Sequence, residues 1–106
     1  MLSEKELVGM FDNQPLIKKF LVEETFSPEE YKGYHAIFKF DNKFGASVIH
    51  HEGSYGVDSG LLELAVIKFN EDGKWKLTYE TTITDDVLGY LTKNEVIDTL
   101  VQIKQL

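Results

Sequence analysis

Two polar segments of this chain carry residue types that can do chemistry, and each segment lies between apolar runs. The first covers residues 50–60, with the letters HHEGSYGVDSG, and the second covers residues 81–86, with the letters TTITDD. Loops supply reactive or binding groups while the surrounding scaffold holds them in place. The two segments therefore hold the candidate functional residues, although neither contains a complete catalytic or ligand-binding motif.

Histidine and carboxylate side chains are the only metal-ligand set that the sequence offers. Neighbouring residues of a strand point to opposite faces, so His50 and His51 are not expected to ligate one ion. The spacings H-x-x-x-H and H-x-x-E are also absent. We therefore predict no metal ion and no cofactor. The set consists of His50, His51, Glu52, Asp58, Glu63, Asp85 and Asp86.

Three of these carboxylates admit both a structural and a catalytic interpretation. Asp85 and Asp86 follow Thr84, which is the pattern of a helix start, so this role is favoured over an acid–base pair. Glu63 lies inside an apolar strand, where an ionised carboxylate needs a partner. A structural hydrogen bond is favoured over a catalytic role for it. The candidate partners of Glu63 are His50, His51, Tyr55 and a loop amide.

The glycine-rich part of the first segment is predicted to be a long connection between two strands. It matches neither G-x-x-x-x-G-K-[ST] nor G-x-G-x-x-G, and no helix follows it, which argues against a phosphate loop. No G-x-S-x-G elbow presents a serine nucleophile. An exposed aromatic residue on such a loop suits recognition. The predicted binding residues are His51, Ser54, Tyr55, Asp58, Asp85 and Asp86.

Composition narrows the classes of function. The 106 residues carry a formal charge of −7, and the basic residues are all lysines scattered along the chain, which opposes direct nucleic-acid binding. The absence of cysteine excludes disulfides and thiol nucleophiles. The N-terminus lacks the pattern of a signal peptide, and no apolar run is long enough to cross a membrane. We therefore expect a soluble intracellular protein, and we favour ordinary solubility over a basic protein partner as the reason for the negative charge.

Helix signals stand at both ends of the chain and strand signals in its middle. Ser3 with Glu6 and Thr92 with Glu95 form capping boxes, and residues 15–21, 27–30 and 84–86 carry further helix starts. Four segments between residues 34 and 80 alternate or are continuously apolar, as strands are. The pattern predicts an α+β fold, with a four-stranded antiparallel sheet flanked by N-terminal and C-terminal helices. Residues 1–106 are expected to form one domain, helical over 1–33, sheet over 34–82 and helical over 83–106.

From Phe40 onwards the chain contains the blocks FDN, GASV, GSYG, GLLELAV and TITDDVLGYL, at residues 40–42, 45–48, 53–56, 60–66 and 82–91. Together these blocks resemble a family of small uncharacterised proteins encoded by tailed phages and prophages. The resemblance implies a phage or prophage origin and a place in the host bacterial cytoplasm, and it brings no known activity. The chain departs from the family pattern at Lys43 and Phe44, where a glycine-containing turn is expected.

These observations favour a non-enzymatic accessory protein that binds a host or phage protein, with Tyr55 at the centre of the contact. A subtype is an acidic modulator that imitates nucleic acid, which requires acids gathered on one face. One alternative is a small metal- or nucleotide-dependent hydrolase in which Glu63, His50 or His51, and Asp85 or Asp86 converge. A second alternative is a homo-oligomeric structural component.

Overall fold

The computed structural model describes residues 1–30, 32–84 and 86–106, and these form an α+β fold built on one antiparallel sheet. Six strands and three helices make up the described part, together with a 3₁₀ turn at Val57–Ser59. The helices are α1 (Glu4–Leu7), α2 (Pro15–Lys18) and α3 (Lys93–Lys104). The strands are β1 (Leu21–Ser27), β2 (Gly33–Lys39), β3 (Phe44–His51), β4 (Leu62–Phe69), β5 (Trp75–Leu77) and β6 (Leu88–Leu91).

The first four strands follow one another across the sheet, each antiparallel to its neighbour. The outer edge of β4 is then shared by two short strands. Its C-terminal half pairs with β5, from Ile67 opposite Leu77 to Phe69 opposite Trp75. Its N-terminal half pairs with β6, where Leu62 lies opposite Leu91. The chain therefore leaves the edge of β4 after Thr78, whose amide still donates to the Val66 carbonyl, and returns to it at β6.

All three helices pack against one face of the sheet, here called the helix-covered face. Alternate residues of each central strand point to this face, as the period of two requires. Phe11 meets Phe38 edge to face there, with ring centroids 5.0 Å apart. Burial of each such aromatic or aliphatic side chain contributes about 1.5–3 kcal/mol. The buried core includes Leu7, Phe11, Ile17, Tyr34, Phe38, Val48, Leu64, Val66, Val96, Leu100 and Ile103.

The opposite face of the sheet holds a second, smaller cluster made of strand residues alone. Ile37, Ile67 and Phe69 are buried in it. The Nζ atom of Lys39 lies 5.1 Å from the centre of the Phe69 ring, so the lysine stem covers part of the apolar surface. Trp75 and Leu77 extend this face and remain partly exposed.

The α+β class and the antiparallel sheet are confirmed, but the sheet has six strands rather than four. The predicted second helix stops at Lys18, and Leu21–Ser27 forms β1, so residues 1–33 are not helical throughout. Leu16, an apolar residue of that predicted helix, is exposed. Residues 21–27 pair with β2 instead of extending the helix. This pairing satisfies amides and carbonyls at the edge of β2 that would otherwise have no partner.

The prediction that residues 83–106 are helical is also wrong in part. Residues 84–86 are predicted to start a helix, but the next element is the strand β6, Leu88–Leu91. The Thr84 hydroxyl donates to the Asp86 carbonyl and accepts from the Asp86 amide, which forms a local turn. Asp85 lies outside the described residues. Both capping boxes are confirmed, at the start of α1 and of α3. Lys43 adopts a φ of 72° in the β2–β3 turn, a left-handed conformation that glycine adopts more readily.

Asn42 joins this turn to the end of α3. Its Oδ1 accepts from the amide of Phe44 at 3.0 Å. Its Nδ2 donates to the carbonyl of Ile103 at 2.9 Å, and also reaches the carbonyls of Lys104 and Leu106. The last carbonyls of a helix have no partner within the helix, so this side chain satisfies them.

We predict that Asn42→Asp lowers the free energy of unfolding by about 1–2 kcal/mol. The carboxylate keeps the acceptor for Phe44 but loses both donors, and its charge opposes the negative end of the helix dipole. Urea denaturation monitored by circular dichroism measures the change. Asn13→Asp, in an exposed turn, is the matched control and should stay within about 0.5 kcal/mol of the parent. Equal stability of the two variants would show that Asn42 does not hold the end of α3.

Candidate functional site

The connection between β3 and β4 is fastened by Ser54, which is only 6% exposed. The Ser54 hydroxyl donates to the His51 carbonyl at 2.8 Å and accepts from the His51 amide at 3.1 Å. The Ser54 amide donates to the same carbonyl at 2.9 Å. The hydroxyl is therefore engaged in holding the turn, which leaves Ser54 a structural role rather than that of a free nucleophile.

A 3₁₀ turn at Val57–Ser59 shapes the rest of this connection. Gly56 and Gly60 bracket it with φ values of 92° and 71°, and the Leu61 amide returns to the Gly56 carbonyl at 2.9 Å. The side chain of Val57 is buried beneath the turn. As a result Asp58 is exposed at the surface, and Tyr55 is 57% exposed just before it.

Strand β6 packs directly against this loop. The Tyr90 amide faces the Tyr55 carbonyl at 3.4 Å, and a Cβ atom placed on Gly89 would lie 2.6 Å from the Tyr55 Cβ. The absence of a side chain at Gly89 is therefore what lets the two backbones approach. Tyr90 has a φ of 56°, and its side chain is 62% exposed. A shallow cavity of about 170 Å³ lies between Tyr55, Asp58, Ser59 and Tyr90.

Glu63, a residue of β4, also holds the β3–β4 loop. Its Oε1 accepts from the Tyr55 amide at 3.0 Å, and the side chain is half-buried. A loop amide was one of the partners expected from the sequence, and the structural hydrogen bond is confirmed. Three contacts thus set the position of Tyr55. Its amide bonds the Glu63 carboxylate, its carbonyl faces the Tyr90 amide, and its Cβ packs closely against Gly89.

His50 is on the other face of the sheet and is completely buried. Its Nδ1 lies 2.8 Å from the Leu61 carbonyl, which can only accept, so Nδ1 carries the proton. Its Nε2 then accepts from the Leu2 amide at 2.9 Å. Both ring nitrogens are satisfied in the neutral form. Burial lowers the pKa of His50 from its ordinary value, because the charged form is not solvated there.

The described residues of the hydrolase hypothesis do not form one cluster, since His50 lies on the opposite face of the sheet from Glu63 and Asp86 lies in the turn before β6, although His51 shares the face of Glu63. Ile49 pairs with Glu63, so Glu63 shares the face of Ile49, and His50 points to the other face. His51 is half-buried with Nδ1 on the Glu52 carbonyl, and Asp86 accepts from the Val87 amide. No three described histidine or acidic residues lie close enough to hold a metal ion.

A larger cavity of about 500 Å³ opens on the side of the loop that faces the β1–β2 turn. Phe26, Pro28 and Val57 give it an apolar wall, and Asp58 stands at its margin. Lys32 and Glu52 form an ion pair of 3.3 Å between exposed side chains that also line it. Exposed pairs of this kind contribute little to stability, so the pair marks the rim rather than holds the loop.

Of the predicted binding residues, Ser54, Tyr55 and Asp58 lie in the β3–β4 loop and His51 lies at the end of β3, while Asp86 lies in the turn before β6. Sequence reasoning missed Tyr90, which falls in the segment predicted to be helical, residues 83–106. The signal that could have found it is the pair Gly89 and Tyr90, because a glycine beside an aromatic residue in a strand often marks close backbone approach.

Comparison of the chain with family models, with curated proteins and with solved structures gives no match. The phage or prophage origin stays a prediction from the resemblance. None of the described helices has the length and apolar character needed to cross a membrane.

We predict that the protein loses stability as the pH falls from about 8 to about 5.5, and that His50 causes part of this loss. The unfolded chain takes up a proton near the ordinary histidine pKa, whereas the folded chain resists because a protonated Nε2 would face the Leu2 amide. The folded pKa is lower than the unfolded one, so stability present above the unfolded pKa is lost as the pH falls towards the folded one. Burial lowers the pKa of His35 in the same direction, and a residual slope is expected from it.

Urea denaturation at several pH values measures this dependence. His50→Gln should be less stable than the parent at pH 8 but should show a flatter pH dependence. His51→Gln, at the last residue of β3, is the matched control, because it removes a histidine but leaves both His50 hydrogen bonds intact, so the flattening should be specific to His50→Gln. An unchanged slope in His50→Gln would contradict the assignment of the neutral, doubly bonded ring.

Proposed function

We propose that this protein is a non-enzymatic protein-binding module whose contact surface is formed by Tyr55, Asp58, Ser59 and Tyr90, here called the tyrosine surface. The observation that carries the proposal is the pair of exposed tyrosine rings around a shallow cavity, on two segments locked to each other by their backbones. The surface presents recognition groups, while the reactive groups beside it are used in structural hydrogen bonds.

Rigidity makes this surface suitable for binding. Tyr55 and Tyr90 lose little further backbone freedom when a partner arrives, because hydrogen bonds and close packing already fix them. Tyrosine offers a large apolar ring with a polar tip and few rotatable bonds, and it is enriched among residues that dominate binding energy. Tyr90 also has a left-handed backbone, which is strained for a non-glycine residue. Strain of this kind is concentrated at functional sites, which supports a role of Tyr90 in binding.

The charge around the tyrosine surface favours a basic segment of the partner. Asp58 is exposed on the loop itself, Glu52 beside it is paired with Lys32, and Glu29 and Glu30 are exposed in the β1–β2 turn at the same end of the sheet. A lysine or arginine side chain can lie over a tyrosine ring while its charged group bonds a neighbouring carboxylate. The partner that fits is therefore a protein with an exposed basic segment. The resemblance suggests a host or phage protein in the bacterial cytoplasm.

The described carboxylates do not support the narrower idea of a nucleic-acid mimic. Asp41, Glu71 and Asp72 lie in turns at the end of the sheet opposite the tyrosine surface, and Glu23 and Glu24 are neighbours on β1. A mimic needs its acids gathered on one face. The proposal is accordingly limited to recognition of a basic segment.

We predict that peptides selected from a random display library against the parent protein are rich in lysine and arginine. Tyr55→Ala should weaken their binding about 30-fold, as expected for loss of a hot-spot aromatic residue. Tyr90→Asn should weaken it similarly, because asparagine tolerates the left-handed backbone but removes the ring. Fluorescence anisotropy with the purified peptides measures each dissociation constant.

Tyr79→Ala is the matched control, because Tyr79 is 43% exposed and lies outside the tyrosine surface. It should bind the selected peptides as the parent does. Selection of acidic or purely apolar peptides, or equal binding by Tyr55→Ala, would overturn the proposal. A dimeric mass in light scattering that Tyr55→Ala converts to a monomer would instead assign the surface to a second copy of the chain, as in a homo-oligomeric component.

A further inference from the structure

Folding gathers lysines that are scattered in the sequence at one end of the sheet, here called the basic end. The β2–β3 and β4–β5 turns meet there, since the Phe69 amide donates to the Lys43 carbonyl at 2.8 Å. The start of β1 joins them, because the Lys39 amide donates to the Phe20 carbonyl at 2.9 Å. The end of α3 is held to the same place by Asn42. The lysines of the basic end are Lys19, Lys39, Lys43, Lys68, Lys74, Lys76 and Lys104.

These lysines are not neutralised by carboxylates in the part of the chain that the structure describes. The ion pairs found there, Lys18 with Asp12 and Lys32 with Glu52, involve none of them. Four of the seven lie over phenylalanine rings instead, with Nζ to centroid distances of 5.1–5.4 Å. Three side-chain carboxylates, Asp41, Glu71 and Asp72, lie in the turns at the same end, so the seven lysines are in excess there and favour a positive local potential in a protein whose net charge is −7.

Lys68 and Lys76 carry like charges on neighbouring strands at this end, with the Lys68 Nζ over the Phe44 ring of β3. They face each other directly across the β4–β5 pair. Two like charges in directly opposed positions disfavour the pairing of their strands. A cavity of about 450 Å³ adjoins them, at the point where the chain leaves the edge of β4. Its lining consists of Lys68, Lys76, Leu77, Thr78, Tyr79 and Glu80.

We propose that this cavity binds the phosphate group of a nucleotide, either free or as part of a single strand. The Lys68 and Lys76 ammonium groups supply two point charges that a phosphate would neutralise, and the Thr78 hydroxyl supplies a neutral donor. The Tyr79 ring offers a surface for a base. Glu80 is the one carboxylate among the lining residues and accepts from sugar hydroxyl or base amino groups. The opposed lysines thus gain a favourable partner that the described residues do not provide.

The test is a titration of the ¹⁵N-labelled protein followed by heteronuclear NMR, with three separate probes. The probes are inorganic phosphate, adenosine triphosphate and a short oligodeoxythymidine. We expect saturable shifts of β4 and β5 amides, and binding that weakens as salt rises from about 50 to about 200 mM. Lys68→Gln/Lys76→Gln should weaken binding about tenfold or more. Lys5→Gln/Lys93→Gln removes the same charge away from the basic end and should leave binding unchanged.

Each outcome decides the proposal. Saturation by adenosine triphosphate identifies a free nucleotide, and saturation by the oligonucleotide alone identifies a strand. Equal weakening by the two double variants would show a general charge effect and overturn the site. The absence of saturable shifts with any probe would also overturn it. Tyr55→Ala should bind the probes like the parent, so failure here leaves the tyrosine surface untouched.

Discussion

The structure depends on how the outer edge of β4 is paired. An open edge of a central strand exposes unpaired amides and carbonyls, and proteins cover such edges. This chain covers it with two short strands in succession, β5 and β6, and departs from the edge between them. Each half of the shared edge creates one candidate site. Strand β6 brings Tyr90 against the loop that carries Tyr55, and β5 brings Lys76 opposite Lys68.

Strand direction also explains the separation of charge. In an antiparallel meander, alternate turns lie at the same end of the sheet. The β2–β3 and β4–β5 turns share one end and carry Lys43 and Lys74, whereas the β1–β2 turn and the β3–β4 loop share the other and carry Glu29, Glu52 and Asp58. The sequence shows an acidic protein with scattered lysines. The fold gathers seven lysines at one end, beside Asp41, Glu71 and Asp72, and leaves the other end mainly acidic, so a net charge of −7 does not describe what either end attracts.

Elements whose signals are local could be predicted from the sequence. The capping boxes at Ser3 and Thr92, the strands β2 to β5 and the long loop before β4 follow from residue type and spacing. The strands β1 and β6 could not be predicted, because their sequences fit a short helix as well. They form strands because they pair with the edges of β2 and β4. The contact of Tyr55 with Tyr90 and the pairing of Lys68 with Lys76 depend on register, which one sequence does not reveal.

The residues that looked most reactive in the sequence are the ones that the fold uses for its own construction. The Ser54 hydroxyl holds the turn, the Glu63 carboxylate holds the Tyr55 amide, and both nitrogens of His50 are bonded to backbone groups. The Ser54 hydroxyl and the His50 ring must each break a structural bond before they can act on a substrate, and the Oε1 atom of Glu63 is engaged in the same way. What remains available beside these bonds is a pair of exposed rings with a carboxylate between them. The proposed role of this loop in recognition rests on these rings, which the polar residues of the loop and of β4 help to position.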